Sequence, residues 1–170
     1  MFDRISPNPY TVVRIRHSAV VGNARVRHVT GHATDDTRPS SAPPAAERLL
    51  HWQLADVAEL PGMRGEVRRA LQPAIDPDVL DQIILALDEM ASNALRHGGV
   101  GPVEASVRTT DTGYLLEVSD SAAARPPTPA LDRDPSEGGL GLYLIARMAL
   151  RHGWYASARA KHVWALLPRS

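Results

Sequence analysis

The stretch DEMASNALRHGG, residues 88–99, closes the clearest helical pattern in the sequence. Asp76 is suited to cap the start of this helix, and Pro77 suits its first position. Apolar residues then recur at steps of three and four, which predicts one buried stripe formed by Leu80, Ile83, Ile84, Leu87, Met90, Ala91 and Ala94. Gly98 and Gly99 end the pattern, and we interpret them as a helix cap and nothing more.

The segments on either side of this helix predict an α+β fold. HWQL indicates a short strand and PGMRGEVRRALQ a helix, while VEASVRT and YLLEVSD, joined by Asp-Thr-Gly, predict an antiparallel hairpin. GGLGLYLIARMALRH predicts a helix opened by glycines, and GWYAS with KHVWALL predicts a closing hairpin. This order indicates a two-layer α/β sandwich, with helices on one face of a mostly antiparallel sheet.

Residues 1–46 differ in composition from residues 47–170. TVVRIRHS and ARVRHVT alternate apolar with basic residues, the pattern of a weak hairpin, and a polar, proline-bearing linker follows them. We therefore predict an N-terminal arm, with a weak hairpin or without fixed structure, followed by one domain. The histidines of the arm lack the spacing of a metal-ligand set, so we interpret them as incidental.

Composition excludes several classes of function. The chain of 170 residues has no cysteine, which excludes a disulfide framework, and its formal net charge of zero gives no field that would attract nucleic acid. No apolar run is long enough to span a bilayer, and the first residues lack the apolar centre of a signal peptide. We expect a cytoplasmic protein that contacts neither nucleic acid nor a membrane.

Three places in the sequence have the residue types for chemistry, and each also has a plain structural interpretation. Glu89 and Asn93 project from one side of the helix, away from the apolar stripe, which is also how a solvated face is built. Asp120 ends a strand, where it either forms a turn or fixes a carboxylate at a cleft edge. The glycines of EGGLGL either let an anion approach a helix start or serve packing, and they match neither the dinucleotide fingerprint nor a P-loop.

Taken together, the order and spacing of these three places resemble a known family. Glu89-x-x-x-Asn93, then Asp120 after a hairpin, then Gly139-Leu-Gly141 at a helix start resemble the N, G1 and G2 boxes of the Bergerat-fold ATPases. That superfamily includes gyrase, heat-shock chaperones, histidine kinases and mismatch-repair ATPases. The short domain, DEMASNALRHG and KHVWALLP are most similar to its RsbW-like anti-sigma-factor serine kinases, over about residues 50–168.

The resemblance implies a role for each matching residue. Asn93 would be a ligand of the Mg²⁺ on the nucleotide phosphates, and Glu89 the general base for the attacking hydroxyl. Asp120 would accept the adenine amino group, with Ala122 in place of the family's glycine, which implies a tighter or shifted adenine pocket. The phosphates would be held at the helix start by Gly138, Gly139, Leu140 and Gly141.

The function that the resemblance implies is that of an ATP-dependent protein serine/threonine kinase. It would use ATP and Mg²⁺, sequester a sigma factor and phosphorylate a STAS-type antagonist, thereby regulating transcription, and it could form a homodimer. Glu89 favours this over a histidine kinase, since transfer to an imidazole needs no comparable base. Two alternatives stay open: a non-catalytic, nucleotide-responsive interaction module, and a domain that binds partners without nucleotide.

Overall fold

The computed structural model describes residues 42–123 and 140–170. Its elements follow the predicted order, with a single turn of 3-10 helix at Val57–Glu59 before the first α-helix. The elements are β1 (Glu47–Leu54), α1 (Leu60–Leu71), α2 (Pro77–His97), β2 (Val103–Thr109), β3 (Gly113–Asp120), α3 (Leu140–Met148), β4 (Arg151–Ala156) and β5 (Lys161–Pro168). The predicted hairpin of the N-terminal arm lies outside the described residues.

Helix α2 forms where its capping residues and apolar spacing predict it. The Asp76 carboxylate accepts a hydrogen bond from the backbone N–H of Asp78 at 2.8 Å, which satisfies one of the free donors of the first turn. Every residue of the predicted stripe is buried. Leu87 is fully buried, so its replacement by alanine would cost about 2–5 kcal/mol. Helix α2 therefore contributes the largest set of helical residues to the core.

The five strands form one antiparallel sheet in the order β1-β2-β3-β5-β4. The consecutive pairs β2–β3 and β4–β5 are the two predicted hairpins. β5 pairs with β3 across an insertion that contains α3, and this pairing sets Asp120 directly opposite Lys161. Two residues that lie far apart in the sequence thus meet at one end of the sheet.

The two faces of the sheet differ in what they pack against. The inner face, with Val107, Leu116 and Ala165, joins the apolar sides of the helices in one core. On the outer face, Leu115 and Trp164 belong to a separate, smaller apolar cluster. The fold is therefore the predicted α+β sandwich, with helices on one face of an antiparallel sheet.

Some boundaries differ from their predictions: β1 begins at Glu47, ahead of HWQL, and α3 ends early. The helical pattern GGLGLYLIARMALRH predicts a helix up to His152, whereas α3 ends at Met148. The reason is pairing with β5: the backbone N–H of Leu150 donates to the carbonyl of Leu166 at 2.8 Å, and Arg151 is already paired with Leu166 in the sheet. In the described part of the chain, no helix is both long and apolar enough to cross a membrane.

Candidate functional site

Glu89 and Asn93 lie one turn apart on α2 and are both half-buried. They are outside the set of α2 residues that fill the core, as their predicted position opposite the stripe requires. Within the described part of the chain, neither side chain has a hydrogen bond or an ion pair with another residue. The carboxylate and the amide are thus available to a ligand.

Gly141, in the first turn of α3, contacts the Glu89 side chain. A Cβ atom on Gly141 would lie 2.6 Å from Cδ of Glu89 and 2.7 Å from its Cγ, closer than nonbonded carbons approach. Glycine at this position lets α3 begin directly against the Glu89 side chain, which a larger residue would displace. The start of α3, where the first N–H groups have no partner within the helix and can therefore bind an anion, lies next to Glu89.

Asp120 is the last residue of β3, and its side chain is only 3% exposed. Its Oδ2 pairs with Nζ of Lys161 at 3.1 Å, and the lysine side chain is itself only 10% exposed. Its Oδ1 accepts a hydrogen bond from the backbone N–H of Ala122 at 2.9 Å. A fixed carboxylate and a buried ammonium therefore stand side by side at this end of the sheet.

Ala122 interacts with the Asp120 carboxylate through its backbone N–H and not through its side chain. No non-glycine residue among those described has a positive φ, so alanine at this position needs no backbone conformation reserved for glycine. The departure from the family pattern is thus compatible with the local turn. The tighter or shifted adenine pocket stays a prediction.

Gly98 does more than cap α2. Its N–H does end the helix by donating to the carbonyl of Ala94 at 2.7 Å, but a Cβ atom on Gly98 would lie 2.7 Å from Cγ of Asp120. The hydroxyl of Ser121 donates to the carbonyls of Gly98 at 3.0 Å and Val100 at 3.1 Å, which ties this loop to the end of β3. The interpretation of Gly98 as a cap alone was therefore incomplete.

The predicted site residues thus form two groups, one on α2 and α3 and one at the end of β3, and Gly98 at the end of α2 packs against the second group. Glu89 is in contact with Gly141, and Asp120 with Ala122. Gly138 and Gly139 lie outside the described residues, and of Leu140 the structure gives only its place as the first residue of α3. Sequence reasoning missed two members of the site, Gly98 and Lys161. The signal for Lys161 was its status as the only lysine in an arginine-rich chain.

A second buried carboxylate, Glu117, lies on the outer face and is occupied by other side chains. It accepts a hydrogen bond from the Tyr155 hydroxyl at 2.7 Å and contacts Nδ1 of His162 at 3.0 Å and Nη2 of Arg108 at 3.1 Å. Burial and, after it, the bond to Glu117 raise the pKa of Tyr155 from 10.0 to about 12. The Tyr155 and His162 rings stack at 4.4 Å. These contacts join four strands, β2, β3, β4 and β5.

The sequence matches the family model of the histidine kinase-like ATPase domain over residues 54–165. The match covers more than half of the chain and includes α1, α2, β2, β3, α3 and β4 in full. The chain belongs to this family, and it is an ATP-binding, kinase-like ATPase domain. In a search of curated proteins, no significant match was found.

Proposed function

We propose that this protein is an ATP-dependent protein serine/threonine kinase that works as an anti-sigma factor in the cytoplasm. It sequesters a sigma factor and phosphorylates a STAS-type antagonist, and in this way regulates transcription without contacting DNA. Membership of the kinase-like ATPase family and the similarity of DEMASNALRHG to the RsbW-like kinases support the proposal. The contact between Glu89 and Gly141 carries it, because it sets a carboxylate that has no polar partner among the described residues beside a helix start suited to phosphate.

Each site residue has a role in this proposal. Asp120 accepts the adenine amino group, while the start of α3 and the preceding glycines, Gly138 and Gly139, bind the phosphates. Glu89 takes the proton of the attacking serine or threonine hydroxyl. Phosphoryl transfer depends mainly on positioning and charge neutralisation, so Glu89 acts on turnover more than on nucleotide affinity.

Mg²⁺ suits the donor that Asn93 offers. The amide of Asn93 is unpaired within the described residues, and an amide oxygen is a hard ligand for this cation. In the same part of the chain, no group of three or more His, Asp or Glu residues could hold a metal by itself. Mg²⁺ usually binds through one or two protein groups together with substrate phosphates, so the ion would enter with the nucleotide.

The test is transfer of the γ-phosphoryl group to protein. The full chain is incubated with Mg²⁺ and γ-labelled ATP and a panel of STAS-domain proteins, and phosphoserine and phosphothreonine are measured. We expect Glu89→Gln to lower the transfer rate by about 100-fold or more, since it removes the general base. The same variant should keep its ATP affinity within about threefold, because the base acts in the transition state.

Glu104→Gln is the matched control, because it makes the same substitution at an exposed position of β2, on the outer face of the sheet and away from the helices. It should transfer phosphate like the wild type. A wild type that binds ATP but phosphorylates no protein hydroxyl would contradict the kinase proposal and favour the non-catalytic, nucleotide-responsive module. Equal transfer by Glu89→Gln and wild type would remove Glu89 from the mechanism.

A further inference from the structure

The pair formed by Asp120 and Lys161 leaves hydrogen-bonding capacity unused at the end of the sheet. The ammonium of Lys161 has three N–H donors, and Asp120 is its one ion-pair partner within the described residues. Oδ1 of Asp120 accepts one hydrogen bond and Oδ2 faces the ammonium in an ion pair, yet a carboxylate oxygen has sites for two hydrogen bonds. Further acceptor and donor sites thus remain next to each other at this end of the sheet.

The Watson–Crick edge of adenine presents the complementary groups in the same order. Its exocyclic N6 amine is a donor, and the neighbouring ring atom N1 is an acceptor. Guanine has the opposite arrangement, since O6 is an acceptor and N1 carries a proton. In the pose that sets N6 of adenine against Asp120, guanine would put O6 against the carboxylate and N1–H against the ammonium, and both contacts would be repulsive.

We infer that Lys161 is a second base-reading residue: Asp120 accepts from the adenine N6 amine while Lys161 donates to adenine N1. The inference rests on the proposed function, in which Asp120 binds adenine. Lysine suits this role because its ammonium is a compact donor on a flexible stem, whereas the planar fork of an arginine needs more room. The one lysine of the sequence thus occupies the position where a compact cation meets the base.

The competing explanation is that Lys161 serves only to neutralise a buried carboxylate. A counter-ion of that kind would affect every nucleotide in the same way, because it would not touch the base. A base-reading residue instead makes affinity depend on one ring nitrogen. The two explanations therefore differ in the response to a nucleotide that lacks N1.

The experiment measures the affinity of the full chain for Mg-ATP, for 1-deaza-ATP, in which C–H replaces N1, and for 7-deaza-ATP as the matched control ligand. We expect wild type to bind 1-deaza-ATP about 10- to 100-fold more weakly than ATP, the usual effect of a hydrogen bond from a charged donor. The loss of N7 leaves the proposed contacts intact, so 7-deaza-ATP should bind like ATP.

The variant Lys161→Met keeps the length of the side chain and removes the donor. It should bind ATP and 1-deaza-ATP with affinities equal within about twofold, whereas the control Arg159→Met, at an exposed position of the β4–β5 turn, should discriminate like the wild type. Thermal unfolding establishes that each variant is folded. If Lys161→Met fails to fold, the comparison of ligands on the wild type still decides.

Equal binding of ATP and 1-deaza-ATP by the wild type would overturn the inference, and so would discrimination that persists in folded Lys161→Met. Either result would leave ATP binding itself intact and make Lys161 a counter-ion. A folded wild type that binds no adenine nucleotide would instead overturn the proposed function together with this inference. The two failures are thereby distinguishable.

Discussion

Strand β3 carries two buried carboxylates, Glu117 and Asp120, which differ in their position and partners. Glu117 and Asp120 are three residues apart, so they point to opposite faces of the sheet. Glu117 lies on the outer face and is contacted by one side chain from each of the strands β2, β4 and β5. Asp120 lies at the strand end, with one lysine and one backbone N–H as partners. Both side chains are buried, but Glu117 is contacted by three side chains and Asp120 by one.

The difference shows which buried charge is available to a ligand. Tyr155, His162 and Arg108 use the carboxylate of Glu117 to join strands, which is a structural role. Around Asp120, the loop that follows α2 comes so close that only glycine fits at position 98. Asp120 lies at the strand end beside the loop that follows α2, whereas Glu117 faces away from the helices, so position and not burial separates the candidate site from the structural network.

The largest expected effect comes from converting each carboxylate to its amide. Asp120→Asn should weaken ATP binding by about 100-fold, because an amide is a poorer acceptor for the adenine amine than a carboxylate. Glu117→Gln should leave ATP affinity unchanged and lower the free energy of unfolding by about 2 kcal/mol, since it weakens bonds to a charged group. Calorimetric titration with ATP and chemical denaturation measure the two quantities. A loss of ATP affinity in folded Glu117→Gln would contradict the assignment of a purely structural role to Glu117.

Gly98→Ala tests how tightly the end of α2 packs on Asp120. The added methyl group would overlap the Asp120 side chain and a backbone carbonyl of α2, neither of which can move freely. We expect a loss of about 2 kcal/mol in the free energy of unfolding, the usual cost of overpacking, together with weaker ATP binding. Thermal denaturation and titration with ATP check both effects. Unchanged stability and affinity would show that the loop shifts without consequence for Asp120.

Gly141→Ala tests the contact between α3 and Glu89. The methyl group would meet the flexible end of the Glu89 side chain, which can turn aside, and alanine favours the helix by up to about 1 kcal/mol. Stability should therefore hold while the misplaced carboxylate lowers the rate of phosphoryl transfer about tenfold. Gly62→Ala is the control, since its added Cβ meets no atom within 4 Å. A transfer rate in Gly141→Ala equal to that of the control would contradict the contact's role.

Tyr155→Phe has the smallest expected effect and tests whether the contacts of Glu117 stabilise the fold without affecting ATP binding. Removing the bond to Glu117 should cost about 1 kcal/mol in the free energy of unfolding at neutral pH and leave ATP affinity unchanged. The folded chain keeps the Tyr155 proton up to about pH 12, whereas the unfolded chain loses it near 10.0. The stabilisation is therefore complete below pH 10 and is lost as the pH rises towards 12. Denaturation curves across that range should show the wild type more stable than the variant at the lower end and no longer more stable at the upper end.

Local patterns in the sequence predict most of the fold. The cap at Asp76, the apolar stripe of α2 and the alternation in β2 and β3 each follow from a few neighbouring residues, and the structure confirms the order of the elements. The premature end of α3 does not follow in this way, because pairing with β5 decides it. Competition between helix and sheet depends on distant partners that no short window contains.

In the candidate site, too, some features follow from the sequence and others depend on distant contacts. Spacing on one helix places Glu89 and Asn93 on the same side, and the resemblance of this pair, with Asp120 and the glycines, to the family's boxes selects them. The ion pair of Asp120 with Lys161 depends on the register between β3 and β5, which are separated by α3 and a long insertion, so the sequence pattern does not determine it. Neither does it determine that Gly98 packs on Asp120, since glycine at that position also satisfies the requirements of a helix cap.

The central claim is that the exposed side of α2 and the end of β3 form one adenine-selective nucleotide site. Calorimetric titration of Mg-ATP and Mg-GTP into wild type and Asn93→Ala tests it most directly, with Gln53→Ala, an exposed residue of β1, as the matched control. We predict one ATP per chain in the wild type and in the control, weak or absent binding of GTP, and affinity for Mg-ATP at least about tenfold lower in Asn93→Ala. Equal affinity for Mg-ATP in Asn93→Ala, or no ATP binding by the folded wild type, would contradict the claim.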